Sequence, residues 1–180
     1  MSLKFVILGS GSSMGVPRAD GYSGDCDLKN KKNYRTRCSA LIKFNHQNIL
    51  IDTSPDLRSQ LLTNKIRTIN KVFYTHLHAD QTHGINDLRP FFLINNKQIP
   101  VYADSNTKKY LLSTFKYCFK SSYGYPSTLS INSLKKEHHF KNKNKKIKIN
   151  KNTNIEYVRS SAFNYDKDVY SKSAQLEFNL

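Results

Sequence analysis

Apolar positions along this chain come in short runs, each closed by a polar turn. The first is KFVILG, with four apolar residues from Phe5 to Leu8, followed by the Gly/Ser stretch of GSGSSMGVPR. CSALIKF and NILIDT are two further strand-like runs, and NHQN at 45–48 between them gives a hairpin signature. Asp52 closes the second of these. TSPDLRSQLL then reads as a helix start, with Ser54 as N-cap, Pro55 as first helical residue and an apolar face of Leu57, Leu61 and Leu62. KVFYTH at 71–76 and IPVYAD at 99–104 are the next strands. DQTHGINDLRPFF between them predicts a helix broken near Pro90. SNTKKYLLSTFKYCF has helical spacing through Tyr110, Leu111, Phe115 and Phe119. Strands alternating with helices predict an α/β fold.

The character changes after Gly124. KKEHHFKNKNKKIKINKNTN is rich in Lys and Asn and predicts a solvated hairpin, with edge strands around IKI and IEYV. His138 and His139 are adjacent, so in a strand they point to opposite faces and read as surface residues.

The length of 180 residues suits one domain of ordinary size. The hydrophobic fraction of 38%, with eleven Tyr and ten Phe, excludes a wholly disordered chain. A net charge of +16 suggests attraction to nucleic acid. Lys outnumbers Arg 22 to 7, however, and Asn is abundant, which favours compositional bias over a dedicated RNA-binding arm. Cys26, Cys38 and Cys118 form no disulfide framework. No run approaches the roughly 20 apolar residues of a membrane span, so the expected setting is the cytoplasm, without membrane attachment.

Chemistry concentrates in YTHLHADQTHGINDLRPF, residues 74–91. His76 and His78 are two apart and, in extended backbone, face the same side. Their imidazoles suit zinc, manganese or iron. Asp80 falls at the start of the following helix, where its hard oxygen suits a second ion beside the first. Two such ions can share a hydroxide and clamp the oxygens of a displacement reaction.

THLHADQTHGINDLR resembles the signature loop of the metallo-β-lactamase superfamily of metal-dependent hydrolases, in particular the cyclic-phosphate phosphodiesterase subgroup of phosphonate breakdown. LGSGSSMGVPR, RTRCSALIKF, ILIDTSPDLR and IPVYAD resemble further motifs of that subgroup in the same order, and the resemblance spans about residues 3–126. It implies an αββα sandwich with a binuclear site at one edge of the sheets. His76 and His78 would bind one metal. Asp80 and a histidine at position 81 would bind the other, and Asp80 would also orient an attacking hydroxide. AFNYDKDV, at 162–169, resembles a later strand and would make Asp168 the bridging aspartate.

The chain departs from that pattern in three ways. Position 81 is Gln, a poorer ligand than imidazole for a borderline metal. His83 lies about 200° round a helix from Gln81 and is expected to pack or to face substrate. No histidine follows His139, so two further ligand histidines of the family have no counterpart. The subgroup's structural zinc is not expected either, since Cys26 alone cannot close a four-ligand site.

These readings predict a metallo-β-lactamase half-domain over 1–126 and a Lys/Asn-rich remnant of an incomplete second half over 127–180. One zinc or manganese ion, or none, would be held by His76, His78, Asp80 and Asp168, with Gln81 and His83 left as second-site or substrate contacts. The expected substrate is a small phosphodiester, hydrolysed weakly or not at all by a chain read as truncated. Half of a sandwich leaves apolar surface uncovered, so a homo-oligomer is also expected. The competing readings are a non-catalytic relative and a nucleic-acid-directed nuclease or binding protein.

Overall fold

The computed structural model describes residues 4–44, 46–135, 137–142 and 145–150, the last two segments by backbone alone. Six strands form one sheet in sequence order: β1 (Lys4–Gly9), β2 (Ser39–Phe44), β3 (Gln47–Ile51), β4 (Lys71–Phe73), β5 (Ile99–Ala103) and β6 (Leu129–Ser133). The β1–β2 and β2–β3 pairs are antiparallel. From β3 to β6 the strands run parallel, so their C-terminal ends share one edge. The β6 strand, beyond residue 126, pairs with β5 along its whole length. The predicted Lys-rich hairpin is a separate two-stranded sheet of β7 (Glu137–Asn142) and β8 (Lys145–Asn150). IKI lies within β8, opposite EHHFKN, and IEYV lies outside the described residues.

The strand register explains why the apolar runs are continuous. Val6, Leu41, Leu50, Val72, Val101 and Ile131 pair in turn from strand to strand, making an apolar row across all six. The four central members have no exposed surface and pack with Leu57, Leu61, Leu88 and Leu111 from the helical side. Burying each of these side chains stabilises the fold by about 1.5–3 kcal/mol. The opposite face carries Ala40, Ile42, Phe44, Ile49, Ile51 and Phe73, with Tyr102 stacked on Phe73 at 4.7 Å between ring centroids. Strands buried on both faces lose the polar alternation that marks a half-exposed sheet.

The helices depart from expectation at their ends. Helix α1 is Leu57–Thr63, with Asp56 at its N-cap. Ser54 serves the preceding turn instead, where its hydroxyl accepts from the Asp56 amide at 3.1 Å. Leu57 and Leu61 are buried as predicted, but Leu62 is exposed and Gln60 points inward. The Gln60 amide donates to the Thr36 hydroxyl and the Arg37 carbonyl, which accounts for a polar side chain on the inner face. The segment after β4 breaks at Gly84, not Pro90: it forms α2 (Ala79–Thr82), a 3-10 turn at Ile85–Leu88, and α3 (Arg89–Asn95). Pro90 sits in the first turn of α3, where its missing N–H costs nothing. The expected single helix after β5 is two, α4 (Ser105–Thr114) and α5 (Lys116–Phe119), parted at Phe115. Among the described residues, no helix is long and apolar enough to cross a membrane.

Candidate metal centre

Parallel pairing of β3 and β4 brings two loops together at the C-terminal edge of the sheet, where open α/β sheets place their ligand sites. Asp52 ends β3 with a left-handed backbone, φ 58°, a conformation uncommon outside glycine. Its carboxylate accepts from the Thr75 amide and the Thr75 hydroxyl, each at 2.8 Å. When Asp52 is ionised, the hydroxyl proton is committed to its carboxylate and the Thr75 oxygen is left to accept from His76 Nδ1, 3.0 Å away. His76 then carries its lone pair on Nε2, which lies 3.2 Å from His78 Nδ1. A metal-ligating histidine held through its other nitrogen has this arrangement.

His78 is the N-cap of α2 and Asp80 lies in its first turn. Ligand atoms of His76, His78 and Asp80 all lie within 4.8 Å of one another. Donors around a tetrahedral zinc stand about 3.4 Å apart, so these three residues would hold one ion after a small closure. Two imidazoles and a carboxylate fit a borderline divalent cation. His76 is half-buried, and burial, reinforced by the neighbouring His78, lowers its pKa below the usual histidine value; Asp80 and Asp104 pull the other way. The neutral imidazole that a metal needs is therefore favoured. Burial raises Asp52 to about 7, against the two Thr75 hydrogen bonds, and the charge of Asp80 adds to the rise.

The other predicted residues fall outside the cluster. Gln81 is buried, 3% exposed, and its Nε2 donates to Asp80 Oδ2 at 2.8 Å. His83 packs away from the cluster: its Nε2 lies 3.0 Å from the Tyr110 hydroxyl and its ring meets Phe115 edge-on. Asp168 lies outside the described residues. Asp52 and Thr75 had no role in the sequence reading beyond strand ends, and only an acidic residue closing an apolar run hinted at the first.

The loop is fastened to the body of the protein through Thr53. Its amide donates to the Gln81 carbonyl at 2.7 Å, and its carbonyl accepts from the Gly84 amide at 2.9 Å. The buried Thr53 hydroxyl, 2.7 Å from the Tyr74 hydroxyl, also reaches the Thr82 carbonyl at 3.1 Å.

A mixed sheet flanked by helices defines an α/β protein, and the His–His–Asp cluster at the C-terminal edge of its parallel strands is a candidate metal site. The chain matches the family described as Beta-lactamase superfamily domain over residues 47–158, more than half its length, and belongs to that superfamily. It is similar in structure to a diphosphatase from the PhnP family, with a TM-score of 0.65 and 31% identity, over 78% of this chain and 54% of that one. Zn2+-bound PqqB from Methylobacterium extorquens shares the fold at 18% identity and a TM-score of 0.58, over 77% of this chain and 48% of that one. In sequence the chain is 35% identical over 127 residues to an octanoyltransferase of Porphyromonas gingivalis (strain ATCC BAA-308 / W83). That match covers 70% of this chain and 25% of the octanoyltransferase. The chain thus spans about half of the diphosphatase and a quarter of the octanoyltransferase.

Proposed function

We propose that the chain is a metal-dependent hydrolase of small phosphodiesters or related phosphate compounds, slow in turnover. The observation that carries this reading is the convergence of His76, His78 and Asp80 on one point, with His76 oriented through Thr75 by Asp52. His76 and His78 would hold the ion, and Asp80 would bind beside them and orient the attacking water. The ion, when bound, supplies Lewis acidity toward a phosphoryl oxygen and acidifies water. Zinc and manganese are the ions of choice for this donor set. Similarity to a diphosphatase at 31% identity supports phosphate chemistry over other hydrolysis. The octanoyltransferase name describes a protein of which this chain matches a quarter, and no observation at the site favours acyl transfer.

Slow turnover is proposed because the described residues supply one ion's ligands, whereas stabilising both the attacking and the leaving oxygen benefits from two. The proposal includes a cytoplasmic setting and a catalytic half-domain over 1–126, with Asp168 in 127–180 as a further ligand. The test is hydrolysis of a chromogenic phosphodiester with added Mn2+ or Zn2+, beside His76→Ala. Slow, ion-dependent turnover that disappears in the variant is expected. Turnover unchanged in His76→Ala would remove the cluster from the chemistry.

A further inference from the structure

Gln81 is buried beside the metal loop, yet half of its amide is unused. Its Nε2 donates to Asp80 Oδ2 at 2.8 Å, while Oε1 is buried with no hydrogen-bond partner among the described residues. The orientation follows from charge. Turning the amide over would set its oxygen against the carboxylate, so the NH2 group must face Asp80 and the oxygen is left toward the interior. A buried carbonyl without a donor is unfavourable. The bond to Asp80 is the one hydrogen bond of this amide among the described residues. No other hydrogen bond to the Asp80 carboxylate is found among the described residues.

We infer that Gln81 is a positioning residue for a one-ion centre: its amide fixes one oxygen of Asp80 and presents the other to the ion held by His76 and His78. A carboxylate ligand held by an outer hydrogen bond keeps its geometry before the ion arrives, and loss of such a partner costs about 10–100-fold in affinity. This inference rests on the metal-centre reading above and deepens it.

The experiment is equilibrium dialysis of the full chain against Zn2+, with bound metal measured by elemental analysis, and parallel Mn2+ titration followed by electron paramagnetic resonance. The wild type is compared with Gln81→Met, which keeps the volume without the amide, and with His76→Ala. Melting temperatures in chelator establish that each variant is folded. Gln81→Leu provides a second variant without the amide, with the same expected weakening, should the Met variant not fold. We expect one ion per wild-type chain, an uncoupled six-line Mn2+ spectrum, and one ion per Gln81→Met chain bound about 10–100-fold more weakly. His76→Ala should bind none. Two ions in the wild type and one in Gln81→Met would make Gln81 a ligand and overturn the inference while leaving the metal centre intact. Equal affinity in wild type and Gln81→Met would also overturn it. Absence of binding to the wild type would instead overturn the metal centre itself.

Discussion

At the scale of single residues, Asp52 has the most unusual environment. It is buried, adopts a left-handed backbone, and is raised to about 7 mainly by burial. An unfolded aspartate titrates near 3.9. Between those values the folded chain keeps a proton that the unfolded chain releases, so this group's contribution to stability is complete below about pH 4 and is lost as pH rises to about 7. The shift corresponds to about 4 kcal/mol at most. Asparagine accepts the Thr75 amide without ionising and tolerates φ 58°. In chelator, Asp52→Asn should therefore match the wild type near pH 4 and become progressively more stable than it up to about pH 7. Urea denaturation across that range checks this; a constant difference would show that Asp52 stays ionised. The His76, His78 and Asp80 grouping was legible in the sequence because one short stretch contributes all three. Asp52 was not, because its role requires β3 to lie parallel beside β4 and a backbone angle that no residue pattern records.

Among the elements, α2 shows how one glycine sets the shape of the metal loop. Gly84 lies so close to the β3–α1 loop that an added Cβ would stand 1.9 Å from the Ser54 carbonyl oxygen. The contact is with backbone, so a methyl group can enter only by separating the two loops. Gly84→Ala should cost about 3 kcal/mol in chelator, measured by denaturant unfolding, and should weaken metal binding as well. A neutral result would mean the loops are not held as described. Most strands were legible because apolar runs between turn residues allow few alternatives. The helix ends were not. Pro90 looked like a helix breaker but begins α3, and Ser54 looked like a cap but stabilises a turn, because tertiary contacts at Gly84 and Gln60 decide where the helices start and which way they face.

At the scale of the whole molecule, β1 lies at one edge of the main sheet among the described residues, with Ile7 61% and Phe5 40% exposed on it. An edge strand with apolar side chains invites pairing with another chain. We expect concentration-dependent self-association by sedimentation velocity, reduced in Ile7→Lys; a monomer at all concentrations would rule this edge out. The architecture of the main sheet was legible from the alternation of strands and helices, but the order of strands and the shared C-terminal edge were not, since they depend on long-range pairing. The Thr53 fastening has a consequence in time as well as in space. Its amide and that of Gly84 bridge the β3–α1 loop and the metal loop reciprocally, so neither can open while the other stays closed. In hydrogen–deuterium exchange the two amides should exchange at one common rate, set by a single opening event. An ion bound at His76 and His78 should slow both by the same factor, although Thr53 touches neither histidine. Unequal protection would show that the two loops breathe independently.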